Sequence, residues 1–189
     1  MDEKLKVFIT TCDELARSGC DANTCVSRAA PLMLELIKLG HRILSPDQMR
    51  EDPITYARNA IHLGDAESTS LFALVWLPGQ WTPVHDHGTW GVVGVLEGVL
   101  EERNFLRADN FKKNNKYYEL QTGGIVLLNS GSVSTFVPNP DHIHMTGVPE
   151  DREKVISLHL YGKHMNSFHY YDLNRSTRRL IDVSHFDSR

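Results

Sequence analysis

The sequence has little that would tie it to a membrane, to nucleic acid or to an extracellular environment. It contains no run of about 18 apolar residues, the length that crosses a bilayer. Its 20 basic residues are scattered and outnumbered by 24 acidic ones, so no positive surface for a phosphate backbone is expected. Cysteine is also scarce, with three residues in all. We therefore expect neither a membrane nor a nucleic acid as a partner.

The three cysteines lie close together near the N-terminus, at Cys12, Cys20 and Cys25. An odd number argues against a disulfide framework. Cys20 and Cys25 lack the second pair of ligands that a structural zinc site would need. The first residues are charged and lack the apolar core of a signal peptide, which predicts a cytoplasmic protein.

Residues 1–65 have a helical pattern, which predicts an N-terminal helical cap. Apolar residues recur at helical spacing from Leu5 to Ala16, and this pattern includes Cys12 as a core residue. A second helix is predicted from Ala30 to Leu39. A third is predicted to begin at Ser45, because a serine followed by proline and then by Gln48 forms a capping-box sequence.

Beyond the cap, short apolar runs alternate with Gly, Pro, Asn and Asp, the pattern of an antiparallel β-architecture. The predicted strands cover residues 71–77, 91–96, 100–105, 116–120, 124–128, 134–137, 155–161 and 168–173. About eight short strands indicate a barrel or jelly roll. We predict a single, mainly β domain over residues 1–189, with the barrel in 66–175 and a C-terminal tail in 176–189.

Histidine, with ten residues, is the unusual count. His85 and His87 are two residues apart, so on an extended segment both side chains lie on the same face and can converge on one ion. His144 is the third candidate ligand and belongs to a second His-x-His pair with His142, which is an alternative ligand. The competing interpretation is that such pairs are surface histidines on an exposed strand.

The spacing around the first pair favours a metal site. Gly79, His85, His87 and Gly98 occupy the positions of the first cupin motif, but Gly91 stands where many cupins have a metal-binding glutamate. The chain therefore resembles a small cupin with three histidine ligands and no carboxylate ligand. Such a neutral set leaves open positions on the metal, which favours catalysis over a closed structural site. Imidazole ligands alone do not distinguish iron from zinc, nickel or copper.

A third motif places Ser157, His159 and Tyr161 at alternate positions of one predicted strand. A hydroxyl, an imidazole and a phenol on one face form a row that is capable of relaying protons. The alternative is a polar cluster that is satisfied within the barrel and has no catalytic role.

The motifs together resemble the thiol dioxygenases of the cysteine dioxygenase type I family, in its bacterial form. The resemblance runs from about residue 56 to residue 172. The matching segments, in the order of the family, are Tyr56-Ala-Arg58-Asn59, Pro83-Val-His85-Asp-His87, Ile143-His144, Ser157-Leu-His159-Leu-Tyr161 and His169-Tyr-Tyr-Asp172.

This resemblance implies a mononuclear non-haem Fe(II) centre, one per chain, and O2 as co-substrate. The ligands would be His85, His87 and His144. The family's outer-sphere triad would be Ser157, His159 and Tyr161, and Arg58 together with Tyr56 would bind the substrate. The implied reaction adds both atoms of O2 to the sulfur of a small thiol carboxylate and gives a sulfinate.

Two features leave the substrate open between cysteine, 3-mercaptopropionate and mercaptosuccinate. Arg58 matches the cysteine-specific branch, whereas the strand after the ligands looks more like the 3-mercaptopropionate enzymes. A second carboxylate would be met by Arg58 or Lys163. The cysteine that animal members cross-link to their tyrosine is absent, because Gly91 or Val92 occupies that place.

The sequence leaves the oligomeric state open between a monomer and a small homo-oligomer. Two other functional classes also remain as alternatives to a dioxygenase. The first class is a non-catalytic metal-binding cupin that acts as a sensor. The second is a cupin isomerase or hydrolase that uses another divalent metal.

Three tryptophans flank the motifs, and we expect them in the barrel core, with the pocket wall as the alternative: Trp76, Trp81 and Trp90.

Overall fold

The computed structural model describes residues 2–108, 118–138 and 142–187. The helices are α1 (Glu3–Arg17) and α2 (Ala22–Ile37), followed by short 3₁₀ helices at Gly40–Ile43 and Pro46–Met49. The strands are β1 (Ala57–Leu63), β2 (Ser70–Trp76), β3 (His85–Asp86), β4 (Gly91–Glu97), β5 (Val99–Arg107), β6 (Leu120–Asn129), β7 (Val133–Phe136), β8 (Ile143–Gly147), β9 (Val155–Tyr161), β10 (Ser167–Asp172) and β11 (Thr177–Asp182).

The strands form two antiparallel sheets. One has the order β1-β2-β9-β4-β7 and the other the order β11-β10-β3-β8-β5-β6. A buried cluster between the sheets takes apolar residues from both, among them Phe72 and Val93 from the first sheet and Leu100 and Phe168 from the second. This arrangement confirms the predicted mainly β, cupin-type fold with N-terminal helices.

The two α-helices cover the outer face of the five-stranded sheet. Their apolar residues share a core cluster with the outward-facing residues of β2, β4 and β9, and Cys12 is buried in this cluster as predicted. α2 packs so closely on β4 that a Cβ atom added to Gly94 would lie 2.8 Å from side-chain atoms of Met33 and Ile37. Neither helix, nor any other within the described ranges, is long and apolar enough to cross a membrane.

Because both faces of β9 are covered, every residue of this strand is buried. Its alternation divides the strand into two rows. Ile156, Leu158 and Leu160 pack with the helices, whereas Val155 and Tyr161 belong to the cluster between the sheets. Because side chains alternate along a strand, Ser157 and His159 face the barrel interior together with Tyr161.

The N-terminal helices differ in detail from the prediction. α2 begins at Ala22 rather than Ala30, because the side chain of Asp21 accepts a hydrogen bond from the backbone N–H of Thr24 and caps the helix there. The helix also continues through Pro31. The capping box that begins at Ser45 is present, but it opens a 3₁₀ helix of four residues.

The predicted boundaries of the barrel need correction at both ends. β1 lies inside the segment 1–65 that was expected to be helical, and β11 lies inside the expected C-terminal tail, 176–189. Polar residues such as Arg58 and Asn59 interrupt the apolar alternation of β1, so its pattern does not mark a strand. β3 has two residues, too few to show a period. Of the strand predicted at 116–120, the first two residues lie outside the described ranges.

The cysteines also differ from expectation. Cys20 and Cys25 are joined by a disulfide between the end of α1 and the start of α2, with their Cα atoms 6.3 Å apart. The odd count argued against a framework in which all cysteines pair. It did not exclude one local pair across a tight connection between helices, with Cys12 left as a free thiol.

Candidate active site

Two neighbouring strands bring the three predicted ligands together. His85 lies on β3 directly opposite His144 on β8, and His87 follows β3 immediately. One nitrogen atom from each ring lies within 4.8 Å of the other two. All three side chains are buried in the barrel interior.

The backbone of β3 is held in the orientation that this arrangement needs. Asp86, between the two histidines, faces the opposite way and accepts a hydrogen bond of 2.6 Å from the Tyr171 hydroxyl. Nδ1 of His169 lies 3.0 Å from the other oxygen of the same carboxylate. These contacts tie β3 to β10 and keep His85 and His87 facing inward.

The outer nitrogens of two rings have partners, which leaves their inner nitrogens available. Nδ1 of His85 donates to the Pro83 carbonyl oxygen over 2.9 Å, and Nε2 lies 3.1 Å from Nε2 of His87. Nδ1 of His144 lies 3.0 Å from Glu102 Oε2. Nε2 of His144 is buried without a hydrogen-bond partner among the described residues, which is the condition of a nitrogen that binds a metal ion.

The electrostatic environment also suits metal binding. Burial lowers the pKa of His85, His87 and His144, and for the first two the neighbouring histidines lower the pKa further. All three rings are therefore neutral at pH 7. Because a histidine must be neutral to bind a metal, the residues present fit a divalent ion held by three imidazoles.

The structure has no room for a carboxylate ligand at position 91. A Cβ atom on Gly91 would overlap the Phe136 ring and lie 2.7 Å from the Leu160 carbonyl oxygen. The same Phe136 ring is stacked on His87, with their centroids 4.3 Å apart and their planes at 23°. Phe136 thus occupies the space that a side chain at position 91 would need, and it packs against one of the candidate ligands.

The three histidines line a small cavity between the sheets. Its wall combines the predicted ligands with residues of β1, β2 and β9 and with apolar residues of the opposite sheet. The lining residues are Tyr56, Arg58, Leu74, Trp76, Thr82, His85, His87, Phe136, His144, Thr146, His159, Tyr161, Met165 and Phe168.

Arg58 is a buried cation without an acidic partner in the part of the chain that the structure describes. Its side chain is 7% exposed, and its guanidinium lies 4.3 Å from the centroid of the Phe72 ring. It donates to the carbonyl oxygens of Met165 over 3.1 Å and of Ser184 over 3.4 Å. Because an uncompensated buried charge is costly, an anion in the cavity would stabilise this arrangement.

The row on β9 is partly connected by hydrogen bonds. Ser157 Oγ lies 2.9 Å from His159 Nε2. The rings of His159 and Tyr161 have their centroids 6.3 Å apart, and no hydrogen bond joins these two described side chains. Tyr161 instead lies beside the ligands, with its ring centroid 5.3 Å from that of His87.

Burial keeps both His159 and Tyr161 neutral. Desolvation, with a further contribution from His144, lowers the pKa of His159 to about 3. Desolvation also raises the pKa of Tyr161 to about 12, against the opposing effect of Arg58. Tyr161 is therefore a hydrogen-bond donor at any pH at which the protein is expected to work.

A family model for cysteine dioxygenase type I matches residues 48–175, which are 128 of the 189 residues. The chain belongs to the cysteine dioxygenase type I family. The resemblance predicted from the sequence is thereby confirmed. Membership in this family supports a thiol dioxygenase in general.

Comparison with solved structures finds bacterial proteins of low sequence identity. An uncharacterized conserved protein with a double-stranded beta-helix domain from Klebsiella pneumoniae is 15% identical, with a TM-score of 0.46; the match covers 75% of this chain and 98% of that one. An RmlC-like cupin protein from Ralstonia eutropha is 12% identical, with a TM-score of 0.47 and coverage of 71% and 72%.

One residue of the site, Trp76, belongs to none of the sequence motifs that indicated a catalytic role. Trp76, one of three tryptophans expected in the core, is fully buried and also lines the cavity. Its Nε1–H donates to Ser157 Oγ over 2.9 Å. Because Ser157 accepts from the indole, it can donate its own proton to His159 Nε2, and the neutral His159 ring then carries its proton on Nδ1. The signal for this role was the position of Trp76 on the inward face of β2.

We expect Trp76→Phe to lower kcat about tenfold with KM for the thiol nearly unchanged. The phenyl ring retains most of the packing but has no donor for Ser157, so the His159 tautomer is no longer set. Trp90→Phe is the matched control, because Trp90 packs with the helices outside the cavity. Steady-state oxygen uptake measures both constants. An equal fall in kcat for the two variants would contradict this role of Trp76.

The remaining candidates lie outside the cavity. Lys163 does not line it and therefore is not placed to meet a second carboxylate there. His142 does not line the cavity; it lies beside His144 and forms, with His144 and Glu102, a second group whose ligand atoms are close enough to hold a metal ion. His164 Nδ1 is 3.2 Å from the Gly64 carbonyl oxygen, a contact with a loop.

Proposed function

We propose that the protein is an iron(II)-dependent thiol dioxygenase that converts a small thiol carboxylate to its sulfinate. The observation that carries this proposal is the placement of Arg58, a buried cation without an acidic partner among the described residues, in the same cavity as three neutral histidines. Arg58 can bind the carboxylate of a substrate while the three histidines hold the metal ion. A sensor would not need this pairing of an anion site with an open metal site.

The three histidines would hold the ion through inward-facing nitrogens. When bound, iron(II) supplies the redox chemistry by which O2 reacts with a thiol, and both oxygen atoms end on sulfur without a further co-substrate. The residues of the chain orient the substrate and exclude water. Phe136, Phe168 and Met165 provide the apolar part of the wall that does so.

Arg58 would pair with the substrate carboxylate through its two terminal nitrogens. The planar guanidinium matches a carboxylate in a bidentate fork, and burial strengthens that interaction. The contacts of Arg58 with Phe72 and with two carbonyl groups already fix its position. Tyr56 lines the same part of the cavity and is stacked on Trp76 with ring centroids 4.6 Å apart, so it forms a rigid wall beside the carboxylate.

Tyr161 would donate a hydrogen bond to the bound substrate or to oxygen. Its high pKa keeps the phenolic proton in place, and its ring contacts with His87 and Phe72 position it between the metal ligands and Arg58. His159 and Ser157 would maintain the polar environment behind Tyr161. Trp76, on β2, extends this set of hydrogen-bonding side chains through its contact with Ser157.

The cavity favours a thiol with one carboxylate. Arg58 is the one Lys or Arg side chain among the described lining residues, so the second carboxylate of mercaptosuccinate would have no fixed partner. The described lining also contains no Asp or Glu to pair with the ammonium group of cysteine. We therefore expect 3-mercaptopropionate to be turned over more efficiently than cysteine or mercaptosuccinate.

The proposal is tested by loading the protein with Fe(II) without oxygen and then measuring O2 uptake with four thiols. The panel is 3-mercaptopropionate, cysteine, mercaptosuccinate and cysteamine, and the last has no carboxylate. We expect one O2 consumed per sulfinate formed, with the highest kcat/KM for 3-mercaptopropionate and the lowest for cysteamine. Protein loaded with Zn(II) is the control. No uptake with any thiol by the iron-loaded protein would overturn the proposal.

A further inference from the structure

The candidate metal centre has no anionic ligand, yet a buried carboxylate lies directly behind one of its histidines. Glu102 on β5 is 5% exposed. Its Oε2 is 3.0 Å from His144 Nδ1, and its Oε1 is 3.4 Å from His142 Nε2. β5 pairs with β8, and Glu102 lies opposite Thr146, which places its side chain beside the ligand two residues earlier.

The partners of Glu102 distinguish it from the adjacent Glu101. Glu101 is equally buried, but it pairs with Arg103 Nε over 2.8 Å and with Arg152 Nη2 over 3.4 Å. Within the described ranges, the ion-pair partners of Glu102 are histidines alone, with no Lys or Arg among them. Burying a carboxylate is costly unless a positive charge lies nearby. A divalent ion on the far side of His144 would supply that charge.

The 3.0 Å contact with Glu102 also bears on which ring atom faces the cavity. An ionised carboxylate only accepts, so a hydrogen bond across this contact places the proton on His144 Nδ1, which also lies 3.2 Å from His142 Nε2 and 3.5 Å from Thr146 Oγ1. The unpartnered Nε2 is then a free lone pair, as its burial without a hydrogen-bond partner indicates. Carboxylates that accept from a metal-bound histidine fix its tautomer and raise its basicity.

We infer that Glu102 is a positioning residue that fixes His144 for metal binding and supplies, through that ring, the negative charge absent at Gly91. The inference rests on the proposed three-histidine metal centre. Glu102 thereby compensates for a ligand that Phe136 excludes sterically. It acts through His144 and does not touch the substrate.

The test compares Glu102→Gln with Glu101→Gln. Glutamine has nearly the same shape but no charge, and Glu101 is the matched control because it is as buried and adjacent on the same strand. Competition with a chelator measures the affinity for Co(II) and for Fe(II), with no thiol present. We expect Glu102→Gln to weaken binding about 10- to 100-fold and Glu101→Gln to change it less than threefold. Equal affinities of wild type and Glu102→Gln would overturn the inference.

A spectroscopic measurement on the wild type keeps the inference testable if Glu102→Gln does not fold. In the Co(II)-loaded protein, the Nδ1–H proton of His144 should give a strongly shifted NMR signal that exchanges slowly with solvent, because Glu102 holds it. Metal bound through Nδ1 of His144 would overturn the inference.

The outcomes separate this inference from the proposed function. Wild-type protein that binds neither metal ion contradicts the proposed metal centre itself. Wild type that binds one ion, with unchanged affinity in Glu102→Gln, contradicts only the role of Glu102. Two ions per chain, of which Glu102→Gln removes one and leaves the other unchanged, would make Glu102 a ligand of a second site and also overturn the inference.

Discussion

His144→Asn is expected to abolish stoichiometric Fe(II) binding and to lower O2 uptake with 3-mercaptopropionate about 10³-fold or more. The change removes one of three ligands, and the two that remain, His85 and His87, adjoin a single short strand. A bound metal ion contributes several kcal/mol to a reaction of this kind, and each 1.36 kcal/mol is a factor of ten in rate. Metal content after desalting and O2 uptake are the two measurements.

His142→Asn is the matched control, because both residues belong to the same His-x-His pair. The structure places His142 nearer the surface and outside the cavity lining. We expect this variant to bind iron stoichiometrically and to keep its rate within about threefold. Loss of iron from His142→Asn, with retention by His144→Asn, would transfer the ligand role to His142 and reject the site described above.

The second large effect is expected for Arg58→Met, with kcat/KM for 3-mercaptopropionate about 10²- to 10³-fold lower. The variant leaves the substrate carboxylate in a buried cavity without its cation, and removing one partner of such a pair costs about 2–5 kcal/mol. Methionine retains an apolar contact with Phe72, so packing is largely preserved. Most of the effect should appear in KM, because Arg58 contacts the carboxylate equally before and during the reaction.

Cysteamine serves as the control substrate for Arg58, because it has no carboxylate to lose. Its kcat/KM should differ less than threefold between wild type and Arg58→Met. Arg58→Lys should recover part of the affinity for 3-mercaptopropionate, since it keeps a charge but not the bidentate fork. An unchanged KM for 3-mercaptopropionate in Arg58→Met would remove Arg58 from carboxylate binding.

The candidate ligands could be predicted from the sequence because the relevant regularity is local. Side chains two apart on a strand lie on one face, and this rule relates His85 to His87 and also Ser157 to His159. The same rule could not predict that β3 and β8 are neighbours. That depends on strand order and register, which place His85 directly opposite His144 across 59 residues of chain.

The incorrect predictions for β1 and for the cysteines also arise from tertiary contacts that a local pattern does not contain. The pattern of residues 57–63 does not predict β1, because Arg58 and Asn59 interrupt its apolar residues; these polar side chains are buried through neighbours distant in sequence. The pairing of Cys20 with Cys25 depends on how sharply the chain turns between α1 and α2. Neither property follows from residue type and spacing alone.

The sequence by itself determined the family, the mainly β class and the residue types that can bind a metal and a carboxylate. Only the tertiary structure decided which groups meet: Trp76 with Ser157 across 81 positions, Glu102 behind His144, and Phe136 in the space that Gly91 leaves open. It also decided that Arg58 is buried without an acidic partner among the described residues. The physical reason is that residue type and the alternation of side chains along a strand are properties of a short segment. The burial of a side chain, its contact partners and the free space around it arise from the packing of two sheets.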